Sequence, residues 1–181
     1  MHIKRKLLAI IICVVMAVTP ACSPPPEGGP LRVLESAAVA MLEGVRHGVE
    51  FSARLSQSAL DVDGMREARL EFTAPEALAG ICVEYACGVF GASLGEVSLS
   101  GLAAEKLGAP IVAFLPAGEV IVAEKMTGED GTAQTRIKLQ RGLSFYEYVI
   151  DSKSGLPLSV SETNAEGETI MKIKIMEYET E

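Results

Sequence analysis

The chain has 181 residues, of which 49% are hydrophobic and 22% charged, and its formal net charge is −8. This length suits one ordinary domain with a single core. The acidic balance argues against a nucleic-acid partner, because phosphate binding requires clustered Lys and Arg.

The first 22 residues have the pattern of a secretory signal that ends at a cysteine. Three cationic side chains at positions 4–6 precede an apolar run of 12 residues, 7–18, and Ala21 precedes Cys22. The run is shorter than the roughly 20 apolar residues of a membrane span. The pattern resembles a bacterial lipoprotein signal, which implies lipidation of Cys22 and a location on the extracytoplasmic side of a cell membrane. An ordinary secreted protein with a chance cysteine is the alternative.

Three regions are therefore expected: a signal peptide at 1–21, a tether at 22–30 that is rich in Pro and Gly, and one folded domain at 31–181. The signal carries three cationic side chains and no acid, so its removal changes the net charge from −8 to −11. A domain this acidic is repelled by anionic lipid, so the anchor rather than the domain surface is expected to hold the protein at the membrane.

The start of the domain shows a helical period. Apolar residues recur at three-to-four-residue spacing and predict an amphipathic helix that ends near Gly48: Leu31, Leu34, Ala38, Met41, Leu42 and Val45. His47 is then placed at a helix C-terminus.

From residue 49 onward the period changes to two. The alternation predicts a hairpin of two strands, with a turn at Asp61–Gly64 and an end at Pro75. A short strand at 81–85 and one or two broken strands at 89–99 follow. Residues 101–126 contain two prolines and two apolar clusters, which favour short helices or a helix and a loop.

The last third is an antiparallel meander of strands at 136–140, 143–150, 156–160 and 171–175. Its second turn reads Asp151-Ser152-Lys153-Ser154-Gly155-Leu156-Pro157-Leu158. This string resembles the D-x-x-[ST]-G-L-P-L hairpin of proteins similar to the lipoprotein carriers LolA and LolB. The resemblance covers the order of elements over residues 31–178, and its motif lies within 145–175.

The resemblance implies an α+β fold: a curved antiparallel sheet forming an incomplete, half-open β-barrel, with the N-terminal helix and the short helical insert covering its concave face. Members of that family bind acyl chains in the concavity or act as sensor modules that bind lipoproteins and partner proteins. Strand parity then gives the expected hydrophobic lining: Phe51, Leu55, Leu70, Phe72, Phe145, Val160, Ile173 and Ile175. A cavity and a fully packed interior both fit this composition.

Little in the sequence favours catalysis. Gly91-Ala92-Ser93-Leu94-Gly95 matches a five-residue nucleophile pattern, but an alternating strand follows it where a helix is required, and no histidine lies after His47. Cys82 and Cys87 form a possible disulfide only if a turn separates them; two free thiols are the alternative. No metal site and no cofactor are expected.

Together these features predict a non-catalytic envelope lipoprotein, membrane-bound through Cys22, that binds an acyl chain, such as that of a lipid or a lipoprotein, or another hydrophobic group. The alternative is a protein-interaction or sensor module with a packed interior and an envelope protein as its partner.

Overall fold

The computed structural model describes residues 31–115 and 117–180. The signal, Cys22 and the tether lie outside the described residues. Eleven strands are present in this part of the chain: β1 (Ala38–Arg46), β2 (Val49–Gln57), β3 (Ala68–Ala74), β4 (Cys82–Ala86), β5 (Val89–Leu94), β6 (Val97–Ser100), β7 (Glu119–Thr127), β8 (Ala133–Arg141), β9 (Ser144–Asp151), β10 (Pro157–Thr163) and β11 (Thr169–Thr180). A 3₁₀ turn (Arg32–Glu35) precedes them, and two short helices, α1 (Leu102–Leu107) and α2 (Ala109–Ala113), lie between β6 and β7.

All strands belong to one antiparallel sheet in the order β6-β5-β4-β3-β2-β1-β11-β10-β9-β8-β7. The first and last strands pair at its centre, and β6 and β7 form its two edges. The chain must therefore pass from one edge to the other between β6 and β7, and α1 and α2 make this connection.

The sheet is curved around these helices. The five-residue helix α2 contacts both β3 and β10, although three strands separate them in the sheet. In a flat sheet this separation would be about 19 Å, four steps of about 4.8 Å, which is wider than one helix. The expected open, curved antiparallel sheet is confirmed, and two short helices form the connection between its edges.

One hydrophobic core fills the space between the sheet and the helices. The strands contribute alternate residues, such as Leu55 and Leu70, and the helical segment contributes Ala104, Ile111 and Phe114. In strands such as β2 and β3, this alternation places one face inward and the other toward solvent.

The prediction of an N-terminal helix is wrong. Only the 3₁₀ turn is helical, and residues 38–46 form the central strand β1. Ala38, Ala40 and Leu42 are its buried residues, which is a period of two. Because β1 pairs with β2 on one side and β11 on the other, both rows of its backbone groups are bonded in the sheet.

The prediction for residues 101–126 is correct in its first half only. Two short helices occupy 102–113, but 119–127 is strand β7, and all nine of its residues are exposed at the sheet edge. The other predicted hairpins are confirmed in position. No helix among the described residues is long and apolar enough to span a membrane.

The turn that carries the sequence motif has a clear physical basis. The Asp151 carboxylate accepts hydrogen bonds from the backbone nitrogens of Lys153 at 3.0 Å and Ser154 at 2.6 Å, and from Ser154 Oγ at 2.8 Å. These bonds lower the pKa of Asp151. Gly155 has a φ of +74°, which favours glycine, and Pro157 begins the next strand. The motif therefore encodes a turn.

Candidate functional site: an apolar pocket with a cationic mouth

An apolar pocket of about 240 Å³ lies at one end of the concave face. Its walls come from three places: β2 and β3, the connection between β3 and β4, and the two helices. The apolar wall residues are Val49, Phe51, Phe72, Leu78, Leu107 and Pro110.

The two phenylalanines form the inner wall. Their rings meet edge to face, with centroids 5.8 Å apart and an interplanar angle of 73°, a favourable arrangement for an aromatic pair. Gly44 pairs with Phe51 across β1 and β2. A Cβ at Gly44 would lie 2.6 Å from Phe51 Cζ, so the absence of a side chain makes room for this ring.

The turn between β1 and β2 forms one side of the mouth. His47 has a φ of +49° and Gly48 a φ of +80°, the left-handed pair of a tight two-residue hairpin. The expected place of His47 at a helix end is therefore wrong, because no helix precedes it. The turn instead places His47 beside Arg46 at the pocket.

Three basic residues border the mouth: Arg46, His47 and Lys106. Arg46 Nη1 donates a 2.7 Å hydrogen bond to the backbone oxygen of Lys106, which joins β1 to α1. Arg46 Nε is buried and has no hydrogen-bond partner within the described residues. The two ion pairs found in this part of the chain, Arg69–Glu84 and Arg136–Glu124, lie elsewhere.

The pocket size limits what can enter. A buried cavity of about 150 Å³ accommodates benzene, whereas pockets for drug-sized ligands run from about 300 to 1,000 Å³. At about 240 Å³, the space suits one hydrophobic tail or side chain rather than several acyl chains.

The rest of the concave face is filled by the helical segment. Ile111 and Phe114 are each 1% exposed. Tyr148 Oη donates a 2.8 Å hydrogen bond to the backbone oxygen of Ala113, and burial raises the pKa of Tyr148 well above its usual value. Phe114 is thus a buried residue at the C-terminal end of α2.

Arg141 fastens the end of α2 to the sheet. Its guanidinium donates to the backbone oxygens of Val112 at 2.6 Å and Ala117 at 2.7 Å, and also to that of Leu115. The same group lies over the Tyr146 ring, 4.7 Å from its centroid. The insert is therefore held against the concave face by hydrogen bonds as well as by apolar contact.

A larger groove of about 540 Å³ lies at the opposite end of the same strands, and its lining mixes charged and polar residues with apolar ones. It contains Gln57, Glu67, Arg69 and Glu84, together with small residues such as Ala68. Its polar side chains suit water better than an apolar ligand.

Seven of the eight predicted lining residues lie in the core: Phe51, Leu55, Leu70, Phe72, Val160, Ile173 and Ile175. Two of them, Phe51 and Phe72, border the apolar pocket. Phe145 does not belong to this set: it is half-buried on the outer face, where Lys138 Nζ lies 5.0 Å from its ring centroid. Tyr146 and Tyr148 occupy the inward positions of β9.

The sequence did not identify the mouth residues. Arg46 and Lys106 carry no motif of their own, and they lie 60 residues apart in the chain. A run of basic residues in the sequence would have indicated a basic site. Here the basic residues come singly from β1, from the turn after it and from α1.

The remaining candidate residues stand apart from the pocket. Cys82 is buried and Cys87 exposed, and both are free thiols in the described chain; burial raises the pKa of Cys82. Ser93 lies within β5, opposite Cys82 on β4, so it is not at the turn before a helix that the nucleophile pattern requires. The described residues contain no cluster of three potential metal ligands.

No protein-family model matches this chain, and no curated protein does. Among solved structures, it is similar to an uncharacterized conserved protein from Thermus thermophilus, with 17% identity over 83% of this chain and 82% of that one, at a TM-score of 0.55. MucB aligns with 15% identity over 83% of this chain and 57% of its own length, at a TM-score of 0.52. This chain thus spans little more than half of MucB, which has also been solved in complex with MucA(peri).

A LolA superfamily protein from Nitrosomonas europaea also aligns, with 6% identity over 82% of this chain and 87% of that one, at a TM-score of 0.43. The structural neighbours thus include a LolA superfamily protein, in line with the resemblance expected from the sequence. At these identities the likenesses define a fold, not an activity.

Proposed function

We propose that this protein is a non-catalytic, lipid-anchored envelope protein that binds an acyl chain, or another single hydrophobic group, in the concavity of its sheet. The observation that carries the proposal is the apolar pocket beside Phe51 and Phe72, which remains open although the rest of the concave face is filled. Burial of apolar ligand surface there contributes about 25 cal/mol per Å² before the costs of association.

The anchor in this proposal is Cys22, after removal of residues 1–21, with 22–30 as the tether and 31–181 as the binding domain. The domain then lies on the extracytoplasmic side of a cell membrane. An acidic chain, with a net charge of −11 after signal removal, depends on the acyl chains of the anchor for membrane attachment.

The test uses residues 24–181, since every member of the core lies between residues 31 and 175. The protein is produced in a bacterium, purified without detergent and measured by native mass spectrometry, followed by organic extraction. We expect a lipid-sized mass addition at near-stoichiometric level, and we expect the delipidated protein to bind an added medium-chain amphiphile.

A pocket-filling variant makes the test specific. Leu107 is half-buried in the pocket wall, and Leu107→Trp replaces its aliphatic side chain by a larger aromatic one. Val62→Trp is the matched control, because Val62 is fully exposed in the turn between β2 and β3. Loss of the added mass in Leu107→Trp alone supports the proposal; a clean apo mass in all three proteins contradicts it.

A second candidate is a protein-interaction or sensor module with a packed interior. It is favoured by the insert, which fills most of the concave face, and by the likeness to MucB. A photo-crosslinker at Ile121 on the exposed strand β7 tests it in cells, with the same group at Val62 as the control. One envelope protein captured from position 121 alone supports this candidate; the same products from both positions argue against it.

A further inference from the structure

The apolar pocket has a hydrophobic interior and a basic mouth. A neutral lipid would require only the hydrophobic interior. The pocket interior is aromatic and aliphatic, and Arg46, His47 and Lys106 border its mouth. We infer that the ligand is a medium-chain carboxylate, a fatty acid in its ionised form, with its tail between Phe51 and Phe72 and its carboxylate at Arg46 and Lys106. This inference rests on the proposed function and adds the chemistry of the head group.

The Arg46 guanidinium donates a hydrogen bond from one edge, whereas Nε on its other edge has no partner among the described residues. The donor is Nη1, its acceptor is the Lys106 backbone oxygen, and Nε is buried. A buried donor without an acceptor is unfavourable, and a carboxylate supplies two oxygens that match the fork of a guanidinium. A bound carboxylate would thus complete a hydrogen-bonding group that the protein chain leaves incomplete.

The hydrogen bond from Arg46 to the Lys106 backbone oxygen also fixes the position of the Arg46 guanidinium. Because Arg46 ends β1 and Lys106 lies in α1, the bond holds both residues at the same side of the mouth. Within the described chain, no carboxylate forms an ion pair with Arg46 or Lys106. The two ion pairs of this part of the chain, Arg69–Glu84 and Arg136–Glu124, lie elsewhere.

The negative net charge of the molecule increases its selectivity for anions that also carry an apolar tail. A chain with net charge −8 repels small anions at long range, so the charge of the head group alone gives little affinity. The apolar tail contributes the burial, and the cationic mouth distinguishes an acid from an alcohol of the same length. The pocket volume of about 240 Å³ admits one such tail.

The experiment compares decanoate with 1-decanol, which has the same chain length and no charge. Residues 24–181 are delipidated, and binding of each probe is measured by titration calorimetry near 0.15 M salt, where long-range charge effects are screened. We expect decanoate to bind about tenfold more tightly than decanol, since a charge-assisted hydrogen bond contributes this order of affinity.

Two variants assign the preference to the mouth. Arg46→Gln and Lys106→Gln should each reduce the decanoate preference to about threefold or less, while decanol binding stays unchanged. Lys106→Gln leaves its backbone oxygen in place, so it still tests the charge if Arg46→Gln disturbs the fold. Lys153→Gln is the control, because it removes one positive charge in the turn between β9 and β10, at the opposite end of the sheet.

The outcomes separate the two proposals. Equal binding of decanoate and decanol overturns the carboxylate inference and keeps the pocket. A decanoate preference that survives in both mouth variants also overturns it, because the head group then binds elsewhere. Failure of both probes to bind overturns the proposed function together with this inference.

Discussion

The two ends of strands β1 and β2 border two spaces of different character. At one end, the beginning of β1 and the end of β2 border a groove of about 540 Å³ with Gln57, Glu67 and Arg69 in its lining. At the other, the end of β1 and the start of β2 border an apolar pocket of about 240 Å³. The smaller space is the better candidate site, because apolar lining and not volume favours a hydrophobic ligand.

The polar end has a structural role that explains its composition. Arg66 is 4% exposed, and its Nη2 donates to the backbone oxygen of Leu34 at 2.5 Å. Gln57 Nε2 donates to the same oxygen at 3.3 Å. These bonds fasten the 3₁₀ turn over the end of the core, and burial lowers the pKa of Arg66.

The largest effect is expected from Phe72→Ala, which removes a ring shared by the core and the apolar pocket. Phe72 is 4% exposed and packs edge to face on Phe51. Truncation of such a residue lowers the free energy of unfolding by about 3–5 kcal/mol. Urea unfolding followed by circular dichroism measures this loss.

Phe145→Ala is the matched control for that prediction. The Phe145 ring lies on the outer face beside Lys138, so its removal should cost about 1 kcal/mol or less. Equal losses for the two variants would show that the inward and outward faces of β9 have been assigned wrongly.

Phe145 also shows where strand parity fails as a sequence signal. Aromatic or branched residues occupy both faces of β9, so alternation alone does not distinguish them. Tyr148 lies inward because its hydroxyl finds the backbone oxygen of Ala113, a partner supplied from 35 residues away. Along β2, β3 and β11, polar residues alternate with apolar ones, and there parity predicted the core correctly.

The segment 31–48 shows a second kind of failure. Alanines and leucines at short spacing fit a helix, yet Ala38, Ala40 and Leu42 also fit a strand. The choice depends on pairing with β11, more than 120 residues later in the chain. A local period cannot include that contact, so tertiary structure overrides the helical tendency.

The mouth of the pocket could not be predicted for the same reason. Phe51 and Phe72 were predicted as lining residues because each belongs to a set of apolar residues at alternate positions of a strand. Arg46 and Lys106 meet only when the helical connection crosses the concave face. Isolated basic residues on separate elements have no sequence pattern.

The next largest effect is expected from Arg141→Met at the end of α2. This change removes donors to the backbone oxygens of Val112 and Ala117, so the free energy of unfolding should fall by about 1.5–3 kcal/mol. Amide hydrogen exchange in 109–115 should accelerate more than exchange in β11.

The matched control for Arg141→Met is Arg136→Met on the same strand, β8. Arg136 pairs with Glu124 of β7 at the exposed surface. Its loss should therefore change the free energy of unfolding by no more than about 1 kcal/mol. Equal effects of the two variants would mean that Arg141 does not fasten the insert.

A smaller effect, shared by both ends, is expected at alkaline pH. Burial raises the pKa of Tyr146 to about 12, and the nearby Glu162 carboxylate acts in the same direction. Burial also raises the pKa of Tyr178, near the polar end, to about 12. Both pKa values exceed the unfolded value of about 10, so these groups stabilise the fold fully below about pH 10, and this contribution is lost as the pH rises toward 12.

Absorbance at 295 nm, with urea unfolding at several pH values, measures this loss. Tyr146→Phe and Tyr178→Phe should each reduce the pH dependence between 10 and 12, by up to about one proton. An unchanged profile in one variant would show that the tyrosine at that end ionises as readily in the folded chain as in the unfolded one.

The smallest effect is expected from Arg69→Gln in the polar groove. Arg69 and Glu84 form a 2.9 Å ion pair, but their side chains are 54% and 66% exposed. Exposed pairs of this kind contribute about 0–1 kcal/mol, so the free energy of unfolding should change by about 0.5 kcal/mol or less. Decanoate binding should also stay unchanged, although the variant removes one positive charge, as Arg46→Gln does. If the two variants weakened binding equally, the charge of the whole molecule rather than the mouth of the apolar pocket would govern the ligand, and the contrast between the two ends would have no functional meaning.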